Sequence, residues 1–280
     1  MKKAISLILS ALILLSCFSV CSTAAAKYKY VVLGDSIAFG SGLVNPLDAC
    51  YGKMVADTCG FDYANHAVPG STSSDLIYKL NEKGVRSDIA GADIITISIG
   101  GNDFLHELPD LLYDFIIRKD YSKFDNIEFG VYSNLSKIID SIRELNGDAT
   151  ILLQTLYNPQ SDYLRKPYQH AVDRVNNAIY RCERENRRVE VVDVASALNG
   201  DERNFADDTM HPSARGNAII AREVLYTLND LGFTRKTEIE AKYPGVNVVL
   251  GPGVEQVLNY YAFFLYAMAK ALSAIAIVMK

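Results

Sequence analysis

The sequence predicts an α/β fold in which a central parallel sheet of about five strands is covered on both faces by helices. Two observations carry this. Short β-branched apolar runs of strand length recur along the chain, and longer stretches with helical spacing of apolar residues separate them. Alternation of this kind calls for parallel pairing through right-handed crossovers, and a parallel sheet needs helices on both faces.

The first strand is Tyr30-Val31-Val32-Leu33, and four more are expected over 63–68, 93–99, 149–156 and 189–194. Helical spacing covers 50–59, 74–83, 104–117, 131–145, 165–186 and 213–230. No internal repeat or low-complexity tract interrupts the series. Ligands of such sheets bind beyond the carboxyl ends of the strands, where the chain order reverses. Three short motifs lie at those ends: Gly34-Asp35-Ser36 after the first strand, Gly70 after the second, and Gly100-Gly101-Asn102-Asp103 after the third.

The ends of the chain are of different character. Lys2 and Lys3 precede an apolar run over 4–20, and Ala24-Ala25-Ala26 follows as a cleavage pattern, so residues 1–26 read as a signal peptide and the protein as secreted or cell-surface. Leu14-Leu15-Ser16-Cys17 competes with that site, because it resembles a lipobox in which Cys17 becomes a lipid-modified N-terminus. Removing residues 1–26 takes two lysines and moves the net charge from −5 to −7. An acidic chain without a basic run has no electrostatic footprint for nucleic acid. Residues 27–232 then form one domain large enough for a well-buried core, and 233–280 are a C-terminal extension. Cys50, Cys59 and Cys182 remain. A helix over 50–58 would hold the first two about 13 Å apart, beyond disulfide reach, so three unpaired thiols are expected. No Cys/His cluster has metal-ligand spacing, so no metal site is expected.

Taken singly, the motifs have plain explanations. Asp35 and Ser36 could cap a helix, Gly70 could supply a special backbone angle, and Asn102 with Asp103 could form another cap. His211 precedes a proline at a helix start and could be a surface turn residue. Of the four histidines, His66, His106, His170 and His211, however, only the last combines an aspartate three residues before it with a place after the final strand. A hydroxyl nucleophile needs a base, a group to orient the base, and donors for the oxyanion. The motifs contain a candidate for each.

Their order and context, Gly34-Asp35-Ser36-Ile37, Asn65-His66-Ala67-Val68-Pro69-Gly70-Ser71-Thr72, Ile99-Gly100-Gly101-Asn102-Asp103 and Asp208-Thr209-Met210-His211-Pro212-Ser213, resemble the SGNH (GDSL-like) hydrolase family. The likeness covers about residues 28–230. It implies a flavodoxin-like three-layer α/β/α sandwich that hydrolyses esters or thioesters without a cofactor. By motif, Ser36 would be the nucleophile, His211 the base and Asp208 its orienting residue. The amides of Ser36 and Gly70 and the side chain of Asn102 would form the oxyanion hole. Physical chemistry agrees: a neutral imidazole accepts the serine proton when its other nitrogen is held by a carboxylate, and an amide donates without carrying charge. Asp207 is a substitute for Asp208 at a spacing of four. The Gly-x-Ser-x-Gly elbow of α/β-hydrolases is absent.

Asp35, beside the nucleophile at a strand end, points elsewhere and reads as structural. It also belongs, with Phe104, Leu105, Tyr157 and Met210, to the candidate walls of a substrate pocket, although an apolar helix over 104–112 could equally be core. The expected partner is a small-molecule, lipid or glycan ester. An O-acyltransferase acting on a polysaccharide and an inert glycan-binding module are the alternatives.

In the extension, an apolar run over 260–279 is interrupted by Lys270 and Ser273. A lysine at the centre of a membrane span costs about 2.5 to 3.5 kcal/mol, which Phe263, Phe264, Leu265, Leu272, Ile275, Ile277 and Val278 roughly offset. Position decides: Glu255, Gln256, Asn259, Tyr266, Lys270, Ser273 and Lys280 share about a third of the helix circumference. A lipid-facing span has no use for such a stripe. The expectation is an amphipathic helix over 254–280 that docks on the domain, on a partner chain (self-association included) or on a membrane surface, with a true span as the alternative because Phe263 and Ile277 intrude on the polar arc.

Overall fold

The structure, a computed structural model, describes residues 27–240, 245–247 and 254–278. The leader, Cys17 and the Gly251-Pro252-Gly253 break lie outside the described residues. In chain order the elements are β1 (Lys29–Gly34), α1 (Ser36–Phe39), α2 (Pro46–Ala49), α3 (Tyr51–Cys59), β2 (Asp62–Asn65), α4 (Ser73–Lys79), α5 (Lys83–Ala90) and β3 (Ile94–Ser98). Then follow α6 (Gly101–Leu105), α7 (Leu108–Tyr113), a π turn (Asp114–Arg118), α8 (Ser122–Leu145), β4 (Thr150–Gln154), α9 (Arg165–Glu185) and β5 (Val189–Val192). Helix α10 (Val194–Leu198), a 3₁₀ turn (Glu202–Asn204), α11 (Ala214–Asp230) and α12 (Val254–Val278) complete the chain.

All five strands pair in parallel in the order β2-β1-β3-β4-β5. The period of two along each strand builds a core on each face. Val31, Leu33, Ile95, Ile97, Ile151 and Leu153 point into one, under α4, α5, α8 and α9. Tyr30, Val32, Ile94 and Leu152 point into the other, under α3 and α11. This is the expected α/β/α sandwich. The order reverses between β1 and β3, and there the backbones close up: Gly34 has φ +140°, and a Cβ on it would lie 2.1 Å from the Ser98 carbonyl oxygen. Only glycine lets the chain leave the switch point here.

The five strands form where expected; β2, β3, β4 and β5 stop short of their expected ends, at Asn65, Ser98, Gln154 and Val192, while β1 runs on to Gly34. The helices differ more. The expected start at 131 is wrong: α8 begins at Ser122, with Phe124, Ile127, Val131 and Leu135 buried along one stripe. Gly130 stands inside this helix; a glycine costs a helix interior only about 1 kcal/mol, less than that stripe gains by burial. The expected helix over 74–83 ends at Lys79, and a separate α5 buries Val85 and Ile89. The expected helix over 104–117 is divided at His106 and Glu107, with Pro109 opening its second part. Cys50, Cys59 and Cys182 are free thiols.

The chain after α11 lies against the domain. Phe233 and Ile239 pack on the second core, the Glu240 amide donates to Thr58 Oγ1 at 2.9 Å, and the Val44 amide donates to the Val246 carbonyl at 2.8 Å. Helix α12 docks on α7 and the π turn through Leu258, Ala262, Leu265, Tyr266 and Ala269. Among the described residues no helix is long and apolar enough to cross a membrane.

Candidate active site

The switch point brings the sequence motifs together. A small pocket of about 40 Å³ opens there, lined by Asp35, Ser36, Ile37, Gly101, Asn102, Phe104, Leu105, Leu156, Tyr157, Tyr168 and Met210. Every candidate wall residue is among them. Ser36 opens α1 directly after β1, and Asp35 caps that helix, its Oδ1 accepting from the Ile37 amide at 3.0 Å. The structural reading of Asp35 therefore holds at the same time as its place in the pocket wall. Burial pushes its carboxyl up to about 7, against the Ile37 hydrogen bond and the charge of His211, which lower it.

His211 sits on the loop between the 3₁₀ turn and α11. Its Nδ1 lies 2.5 Å from Asp208 Oδ2, and Asp208 Oδ1 accepts from the amides of Met210 and His211, each at 3.0 Å. Burial works to raise the Asp208 carboxyl, but the His211 ring and these amides hold it below the usual range. It therefore accepts from Nδ1–H and leaves Nε2 as the free acceptor. The turn is closed by the Ala206 amide on the His211 carbonyl at 2.7 Å and by Tyr157, whose hydroxyl donates to the Met210 carbonyl at 3.0 Å. Tyr157 thus braces the turn as well as lining the pocket. Among the described residues Ser36 Oγ has no hydrogen-bond partner, and catalytic pairs of this kind often tighten only when substrate arrives.

Asn102 is in the first turn of α6 and donates from Nδ2 to the Ser71 carbonyl at 2.9 Å, which leaves its second N–H for the pocket. Gly70 is exposed at φ +83° with open space around it, in the turn that Asn102 holds. Asp103 fastens the same loop: it accepts from the Ser73 amide at 2.9 Å and the Ser73 hydroxyl at 2.5 Å, and Asn134 donates to Ser73 Oγ at 2.9 Å. Sequence reasoning left Asp103 as a helix cap and missed Ser73 and Asn134. Tyr168, which stacks edge-on against Phe104 at 5.0 Å, was missed too, because it comes from α9 and no local pattern marks it.

The other histidines are occupied elsewhere. His66 pairs with Asp88 at 2.7 Å, His170 packs among Phe115, Tyr121 and Phe124, and His106 is exposed. Among the described residues no group of three or more His, Cys, Asp or Glu could hold a metal ion.

Residues 32–219 match the model of the GDSL-like Lipase/Acylhydrolase family. The chain belongs to that family. It is a serine hydrolase acting on ester bonds, which sets aside the reading as an inert binding module. Among its relatives, the uncharacterized protein YpmR of Bacillus subtilis is 28% identical over 266 residues, 84% of this chain and 100% of that protein. The spore germination lipase LipC of Bacillus licheniformis is 28% identical over 199 residues, 67% of this chain and 90% of that protein. A lipase from a goat rumen metagenome shares the fold with a TM-score of 0.61 at 22% identity, over 75% of this chain and 99% of its own. A catalytic mutant of Axe2, an acetylxylan esterase of Geobacillus stearothermophilus, superposes with a TM-score of 0.52 at 21% identity, covering 74% and 95%.

Proposed function

We propose that the protein hydrolyses esters of short acyl groups through Ser36, His211 and Asp208. Ser36 Oγ attacks the ester carbonyl carbon while His211 Nε2 takes its proton. The oxyanion is met by the amides of Ser36 and Gly70 and by Asn102 Nδ2. Collapse expels the alcohol, which leaves with the proton from His211, and an acyl group stays on Ser36. Water, deprotonated by the same histidine, releases the acid and restores the serine. The hydrogen bond from His211 to Asp208 supports these roles. The reading of residues 1–26 as a leader puts the reaction outside the cytoplasm.

The observation that carries the substrate class is the size of the pocket. A cavity of about 40 Å³ is small beside the roughly 300–1,000 Å³ of ordinary small-molecule sites, which favours a short acyl group such as acetyl over a long chain. Ile37, Phe104, Leu105 and Leu156 give it apolar walls suited to the acyl methyl.

A panel of p-nitrophenyl esters from acetyl to palmitoyl tests both parts. The expected profile is highest at acetyl to butyryl and falls beyond, with Ser36→Ala losing at least about three powers of ten in turnover. A maximum at palmitoyl would overturn the short-acyl assignment, and an active Ser36→Ala variant the nucleophile.

A further inference from the structure

Helix α12 docks with one apolar face and turns a second one to water. Val257, Tyr260, Tyr261, Phe264, Met268, Leu272 and Ile275 are all exposed, with Val257 at 68%, Tyr260 at 71% and Phe264 at 66%. At about 100° per residue they fall within an arc of roughly 120°, so they form one stripe along the helix. A stripe of this length on a solvated surface marks an interaction site. The flank of the helix is predominantly cationic. Lys119, Arg165, Lys166 and Lys270 line a common groove with Tyr266 and Asp162. All four cations are exposed, and among the described residues none pairs with a carboxylate. In a chain of net charge −5 that is a local reversal.

We infer that α12 lies in the plane of an anionic membrane surface. The stripe enters the boundary between headgroups and acyl chains, and the four cations sit at headgroup level beside it. Tyr163, exposed and edge-on to Phe263 at 5.2 Å, adds an amphipathic ring to the groove that holds the four cations. A second copy fits less well, because two stripes brought face to face would carry their cationic flanks with them, while anionic lipid neutralises these flanks. Asn259 of α12 shares a groove with Phe205, Ala206 and Thr209, so the helix also lies beside the segment that carries Asp208.

Co-sedimentation of the full chain with phosphatidylcholine vesicles, with and without phosphatidylglycerol, tests this. Binding is expected only when phosphatidylglycerol is present and is expected to fall with salt. Replacing Lys119, Arg165, Lys166 or Lys270 by Gln should weaken partitioning about fivefold per cation removed. The double variant Met268→Asp, Leu272→Asp should abolish binding while hydrolysis of a soluble acetyl ester, which reports the fold, is retained. Equal binding to neutral vesicles overturns the inference. Binding unchanged in the double variant also overturns it and assigns the attachment to residues 1–26. A dimer that the double variant dissolves, with no vesicle binding, overturns it in favour of a second copy.

Discussion

In the turns around Ser36 and His211, carboxylates are withdrawn from water and each is met by donors: Asp35 by the Ile37 amide, Asp103 by Ser73, Asp208 by His211 and two amides. Along the outer side of α12 the reverse holds, because Phe264, Met268, Leu272 and Ile275 are apolar and stay in water. In the first region the misfit between side chain and surroundings is resolved within the chain. In the second it is resolved only by something outside it. A buried charge without donors costs several kcal/mol and would unfold the domain, whereas an exposed methyl or ring costs the monomer little. Folding stability therefore accounts for the partners at the rim, and the proposed membrane surface would account for the stripe.

The sharpest way to break this contrast is to alter one residue in each region. Asn102→Ala removes a proposed oxyanion donor and should lower turnover on a soluble ester by about 10²- to 10³-fold, while Phe264→Asp should leave it unchanged. Comparable losses in the two variants would mean that α12 takes part in catalysis itself. Next in size is a contrast within α12. Ala262→Asp puts a charge into the joint with α7 and the π turn, where Ala262 is fully buried, and should cost on the order of a few kcal/mol in thermal unfolding. Ile275→Asp, on the exposed side, should stay within about 0.5 kcal/mol. Equal costs would show that the outer stripe is covered in the free protein.

The smallest effect sharpens the picture of the rim. The Asp35 carboxyl is pushed up to about 7 by burial, so the folded protein keeps this proton to near neutrality while the unfolded chain loses it near pH 4. Where the folded state binds more protons, stability falls as pH rises. The contribution of Asp35 therefore declines from about pH 4 to 7 and is flat above. In Asp35→Asn the amide oxygen still accepts from Ile37, and that decline is absent. Melting temperatures should accordingly show the variant gaining on the unaltered chain between pH 4 and 7, with no further gain at higher pH. A gain that grows only above pH 7 would contradict the burial of this carboxyl.

The sequence by itself determined the elements whose signal is local. Tyr30-Val31-Val32-Leu33 and the runs over 93–99 and 149–156 announce buried strands because both faces of a parallel sheet are covered. The spacing of Asp208 and His211 permits their pairing, since three residues suffice to fold a carboxylate back on an imidazole, but Asp103 and His106 share that spacing and Asp103 turns to Ser73 instead. Helix limits were less legible, since Gly130 and the residues around His106 have weak local preferences that packing overrides. Only the tertiary structure decided the strand order, the Asp103 clamp on Ser73, the brace of Tyr157 on Met210, the arrival of Tyr168 from α9, and which side of α12 faces outward. Each of these joins residues remote in sequence or depends on what a face packs against, and periodicity specifies that a face exists without specifying its neighbour.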